Sequence, residues 1–227
     1  MTDPARIPVL RHARAQVHGR YFIQSPPSGA GPLWLVGFHG QGQTADEFLE
    51  FLDRVPRSAA WRVASVQGLN RHYASRGQRI TANWMTSQDR ELAIADNVSW
   101  VNTVLDAIED EFGAPRVIVF AGFSQGVAMA YRAGLLGSRP CAAIIAGCGD
   151  VPPELESQAA REWPRVLAAT GRSDAWYTPA RLDADLAVLR ARGADASTLV
   201  FEGGHEWSAA LCQAVGELLK EIEDRSH

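Results

Sequence analysis

Three features of the sequence predict an α/β fold in three layers, a mostly parallel sheet with helices on both faces. Short, almost wholly apolar runs such as LWLVGF (Leu33–Phe38) mark strands buried on both sides rather than on one. Helical patterns with a 3.6-residue period separate these runs, which is the order that βαβ crossovers require. Apolar residues make up 46% of 227 positions, enough for a large core and consistent with one domain spanning 1–227.

Taken in chain order, Tyr21–Gln24 reads as a short strand, and the Pro- and Gly-rich segment 25–32 as a turn. After the Leu33–Phe38 strand a helix is predicted from Thr44 to about Arg54. Thr44 is its N-cap, Asp46 and Glu47 complement its dipole, and Phe48, Leu49 and Leu52 form its core face. Trp61–Val66 is the next strand, and residues 67–90 read as a long polar loop. Loops of that length in a compact domain are usually functional. The strongest helical pattern runs from Glu91 to Phe112, with Ile94, Val98, Val101, Leu105, Ile108 and Phe112 on one face and Gly113 as the stop. Further strands are predicted at Val117–Ala121, Cys141–Ala146, Val166–Ala169 and Thr198–Phe201. Helices are predicted at Gln125–Leu136, Pro179–Arg192 and Glu206–Ile222.

A net charge of −4 argues against nucleic-acid phosphates or an anionic membrane as partners. No apolar run approaches the ~20 residues of a membrane span, and the charged N-terminal segment lacks the apolar stretch of a signal peptide. Cys141, Cys148 and Cys212 show no CxxC or Cys/His ligand spacing, so a reduced, cytoplasmic protein without a metal or other cofactor is expected.

The chemistry concentrates at GFSQG, Gly122 to Gly126, between a predicted strand and a predicted helix. Glycines two before and two after the serine let strand and helix approach closely while Ser124 Oγ is pushed outward, and the helix N-terminus offers the Gln125 N–H to a developing oxyanion. A serine nucleophile needs a base that titrates near neutral pH, which favours histidine. His12, His18 and His227 lie in charged terminal segments and His72 in the polar loop, whereas His205 follows the last strand on a glycine-rich turn. In α/β-hydrolase order, Ser then Asp or Glu then His, that is the place of the base. The acid then falls at Asp174, after the second strand beyond the nucleophile, with Asp150 after the first strand as the alternative. FHGQGQ, Phe38 to Gln43, resembles an esterase oxyanion loop in which Gln41 supplies the second N–H and His39 fixes the loop.

In this order, FHGQGQ, GFSQG, GRSD and GGH resemble the phospholipase/carboxylesterase family, which includes the acyl-protein thioesterases. The resemblance implies Ser124, Asp174 and His205 as the triad, Gln41 and Gln125 as the oxyanion positions, and Trp84 as the tryptophan of the loop before the long helix. The chain departs from the family at Val127 and at Thr170-Gly171. It departs again at Trp176-Tyr177, where the family has small aliphatic residues, which points to a narrowed acyl pocket. Trp84, Met85, Met129, Trp176, Tyr177 and Trp207 are the candidate walls for a small-molecule ester or thioester of small to medium acyl length. A lactone, dienelactone or amide hydrolase with the same triad is the enzymatic alternative, and a non-catalytic binding protein the alternative from another class.

Overall fold

The computed structural model describes residues 8–29, 31–75, 77–156 and 162–225; His227 lies outside them. Its centre is a seven-stranded sheet. The strands are β1 (Tyr21–Gln24), β2 (Leu33–Phe38), β3 (Arg62–Val66), β6 (Val117–Phe123), β7 (Ala143–Gly147), β8 (Arg165–Gly171) and β9 (Ala196–Phe201), in the spatial order β1-β3-β2-β6-β7-β8-β9. Every pairing is parallel except β1 with β3. The helices are α1 (Ala45–Asp53), α2 (Arg90–Phe112), α3 (Gln125–Leu136), the single turn α4 (Pro153–Glu156), α5 (Pro179–Ala191) and α6 (Ala209–Arg225).

Alternation along the strands assigns the two cores. Trp34, Val36 and Phe38 of β2, with Ile118 and Phe120 of β6, face a cluster built with α2, α3 and α5. Leu33 and Leu35, with Val119, Ala121 and Phe123, face the opposite cluster, built with α1 and α6. The continuous apolar run of β2 is the consequence of burial on both faces of the inner strands, whereas the edge strands β1 and β9 are partly exposed. At the start of α1 a capping box forms, in which the Thr44 amide donates to Glu47 Oε2 at 3.0 Å. Along α2 the buried face includes Val101, Leu105 and Ile108, and also Asn97, whose amide donates to the Trp84 carbonyl at 2.8 Å.

Residues 67–90 depart from the predicted loop. They hold a two-stranded antiparallel hairpin, β4 (Asn70–Tyr73) and β5 (Ile80–Asn83), outside the main sheet. All four residues of β4 are exposed, so no apolar alternation announces the strand. The hairpin is tied to the segment after β2 by Gly42 N–H to Ala82 O at 2.9 Å and Ala82 N–H to Gln43 O at 3.0 Å. The last helix starts at Ala209 rather than Glu206, with Ser208 Oγ accepting from the Leu211 amide at 3.1 Å.

Candidate functional site

Ser124 stands between β6 and α3 with φ 52° and ψ −121°, outside the regions a side-chain-bearing residue prefers. Such a conformation costs about 1–3 kcal/mol and persists only where surrounding structure enforces it. Here the enforcement is steric. A Cβ on Gly126 would overlap the Phe38 carbonyl of β2, and one on Gly122 would overlap the Gly126 carbonyl. The Ser124 amide donates to Gly147 O of β7 at 2.9 Å, which fixes the turn at the carboxyl edge of the sheet.

His205, on the turn after β9, places Nε2 2.9 Å from Ser124 Oγ and Nδ1 2.8 Å from Asp174 Oδ2. An ionised carboxylate only accepts, so Nδ1 carries the proton and Nε2 presents its lone pair to the hydroxyl. Asp174 lies on the turn after β8, its side chain fully buried. Its Oδ1 accepts from the Trp176 and Tyr177 amides at 2.8 and 2.9 Å. Burial alone would push this carboxyl up, but those two amides together with His205 outweigh it and hold its pKa below the ordinary 3.8. Asp150 is elsewhere, 57% exposed in its side chain and paired with Arg181 at 2.6 Å. The structure therefore brings Asp174, and not Asp150, to His205.

Two amides close to the serine in the chain path donate to no acceptor among the described residues. One belongs to Gln125, the first residue of α3. The other is Gln41, in the turn that Gly40 backs against Ser124: a Cβ on Gly40 would lie 3.3 Å from Ser124 Cβ. His39 secures this turn, with Nδ1 donating to Gly40 O at 2.7 Å and Nε2 accepting from the Gly68 amide at 3.0 Å. Burial lowers its pKa from 6.5, so it stays neutral and can hold both bonds at once. The Gln125 side chain has its own task, unforeseen in the sequence. Oε1 accepts from the Trp84 amide and Nε2 donates to Met85 O, each at 2.9 Å, which locks the loop between β5 and α2 onto the elbow.

A cleft of about 480 Å³ opens at Ser124 and His205. Met85, Ala128, Trp176 and Tyr177 line it, along with Arg90, Arg132 and Arg181; Gln125 reaches it and Gln41 does not. Three expected wall residues lie elsewhere. Trp84 is fully buried and donates its indole N–H to His39 O at 2.8 Å, so it braces the loop from the core side. Met129 sits in the core beneath α3. Trp207 packs edge-on against Phe48 at 5.3 Å in the cluster on the other face of the sheet. Trp176 is 75% exposed, and its neighbour Tyr177 is held by a hydrogen bond from its hydroxyl to Asp185 Oδ2 at 2.7 Å. His12 meets Asp89 and His72 meets Thr81, both away from the serine.

Cys148, one of the three cysteines whose spacing gives no metal-ligand pattern, lies on the turn after β7 with φ 56°. Burial first, and then the Asp174 charge, push its thiol up to about 12, so it is neutral here. Its sulfur, with Asp174 and His205, forms a group whose ligand atoms all lie within 4.8 Å of one another. A metal ion there would take atoms that already serve the His205 relay, so metal binding and that relay exclude each other.

This is the α/β-hydrolase fold. A search of solved structures finds it in esterase PE8, at 23% identity, covering 91% of this chain and all of that one with a TM-score of 0.73. It is also found in a phospholipase/carboxylesterase from Dyadobacter fermentans, at 22% identity over 92% of this chain and 100% of that one, TM-score 0.68. Acyl-protein thioesterase 2 of Zea mays matches at 17% identity, 90% and 99% coverage, TM-score 0.69. No protein-family model matches the sequence, and no curated protein does. Among the described residues no helix is long and apolar enough to cross a membrane.

Proposed function

We propose that this chain is a serine hydrolase of the phospholipase/carboxylesterase type that cleaves esters or thioesters of small to medium acyl groups, and that residues 1–227 form one catalytic domain. The unbroken line Ser124 Oγ, His205 Nε2 and Nδ1, Asp174 Oδ2 carries the reading. In this mechanism His205 takes the serine proton as Oγ attacks the acyl carbon, and Asp174 stabilises the imidazolium that forms. The Gln41 and Gln125 amides receive the oxyanion, each donor supplying about 2.7–4 kcal/mol in the transition state. His205 then protonates the leaving alcohol or thiol, and water, deprotonated by the same imidazole, releases the acid from the acyl-enzyme. Met85, Trp176 and Tyr177 form the substrate walls. A reducing, cytoplasmic setting is part of the proposal, motivated by cysteine spacing in the sequence that suits neither a disulfide framework nor a metal site. The test is labelling by a fluorophosphonate beside a panel of ester, thioester and lactone substrates. Wild type should label and turn over esters, and Ser124→Ala should do neither; equal labelling of the two proteins would overturn the proposal.

A further inference from the structure

The wall of the cleft is not wholly apolar. Among the described residues three guanidinium groups, of Arg90, Arg132 and Arg181, line it, against one lining carboxylate, Asp150. Asp150 is engaged with Arg181 at 2.6 Å. Asp185, behind Tyr177, accepts from the Tyr177 hydroxyl and the Val151 amide, and burial pushes its carboxyl up. Arg90 and Arg132 share one partner: Glu154 takes Arg132 Nε on Oε1 at 2.8 Å and Arg90 Nη2 on Oε2 at 2.6 Å. Two positive charges thus meet one negative charge, and the pair carries a surplus of one.

Arg132 is the telling member. Its side chain is only 3% exposed, yet it lines the cleft. Its Nη1 meets the thioether of Met85 at 3.2 Å, a weak acceptor for a guanidinium that can donate five hydrogen bonds. Burying a charge costs several kcal/mol, and an apolar residue in such a place is often neutral or better for stability. A stability role alone is therefore a poor account of an arginine that turns to the cleft. Its position along α3 supplies a better one. Ser124, Ala128 and Arg132 are spaced by four residues and share one helix face, so Arg132 sits about 12 Å along the axis from the nucleophile. Its long side chain leans back toward the helix N-terminus and covers part of that distance. What remains is a short span walled by Ala128 and Met85 that ends in positive charge.

We propose that the cleft is built for an ester that carries a second, ionised carboxylate, read by Arg132 and Arg90 at the end of a short apolar span. The inference rests on the serine-hydrolase reading above and names the substrate class of that same site. An ω-carboxyacyl group of four to six carbons matches such a span, and the carboxylate accepts from the Arg132 and Arg90 N–H groups that Glu154 leaves over. Charge-assisted hydrogen bonds of this kind correspond to roughly ten- to hundredfold in kcat/KM.

The experiment compares three esters in a pH-stat: ethyl hexanoate, monoethyl glutarate with the carboxylate on the acyl side, and pentanoyl glycolate with it on the alcohol side. Wild type should cleave one of the two anionic esters about tenfold or more faster, in kcat/KM, than ethyl hexanoate, and the arm that wins identifies the side. Added salt should lower that ratio, and Arg132→Gln should bring it close to one. Arg90→Gln, at a more exposed position, should reduce it in part and serves as the second variant if Arg132→Gln does not fold. Cleavage of ethyl hexanoate with no preference for either anionic ester overturns this inference and leaves the hydrolase proposal standing. A preference that survives both variants also overturns it. No cleavage of any of the three, with no fluorophosphonate labelling, overturns both.

Discussion

Replacing Asp174 by asparagine tests the proposed relay with little change of shape. In the native site Oδ1 accepts two amides and Oδ2 accepts His205 Nδ1–H at 2.8 Å. An asparagine must keep its carbonyl oxygen on the Trp176 and Tyr177 amides, since its NH2 cannot accept them. The NH2 then faces His205 and favours the tautomer with the proton on Nε2, aimed at Ser124 Oγ. That tautomer has no lone pair for the serine proton, and the imidazolium loses its counter-charge. The same change in a serine protease costs about 10⁴ in kcat. The expected loss here is on the order of 10³ or more, about 4 kcal/mol of transition-state stabilisation. Asp150→Asn removes only an exposed pair with Arg181, so it should lose less than about tenfold. The assay is steady-state hydrolysis of ethyl hexanoate, with circular dichroism to show both variants folded. An active Asp174→Asn beside a dead Asp150→Asn would refute the assignment of the acid while leaving Ser124 and His205 in place.

Three further outcomes are expected. Across neutral acyl esters, each buried methylene should raise kcat/KM about fourfold, from roughly 0.8 kcal/mol, until the chain reaches Arg132 and Arg90; the optimum should fall at short to medium length, and a rise continuing to palmitoyl esters would contradict the bounded cleft. EDTA should leave the rate unchanged and Zn²⁺ should inhibit, because an ion on Cys148, Asp174 and His205 removes the base; Cys148→Ala should weaken that inhibition, and restoration of chelator-lost activity by zinc would reverse the mechanism. His39, with a pKa lowered from 6.5, contributes stability that is present above that value and lost as pH falls toward its folded-state value. The urea midpoint should therefore drop as pH falls below 6.5, and His39→Gln, which does not titrate, should flatten that part of the curve; an equal slope in both proteins would remove His39 as the cause.

The strands of the sheet were legible because burial on both faces leaves a continuous apolar run, and Leu33–Phe38 matches β2 to the residue. The elbow was legible because steric crowding admits only glycine at two fixed offsets from Ser124, a constraint local enough to read in five letters. The hairpin was not, since β4 is exposed along its whole length and is held by backbone pairing and polar cross-strand contacts, Asn70 with Asn83 and His72 with Thr81, rather than by apolar alternation. Trp84 and Trp207 misled for another reason. A tryptophan suits a core and a cleft equally well by composition, and only the path of its loop decides which it meets. The arginine end of the cleft was invisible because Arg90, Arg132 and Arg181 come from three helical segments, and an arginine in a helical pattern reads as solvent-facing until its neighbours are known.

The backbone bonds between Gly42, Gln43 and Ala82 join the proposed oxyanion turn to the hairpin without using any side chain. Such a joint is indifferent to most of what the hairpin displays. At the hairpin's outer end Tyr73, 68% exposed, can drift or be redesigned with the joint left in place, whereas Asn70, Arg71 and His72 are tied by their side chains to Trp84 O, His18 O and Thr81. The molecule thereby separates two demands that often conflict, a proposed catalytic turn with little room for change and a rim position beside it that is open to variation.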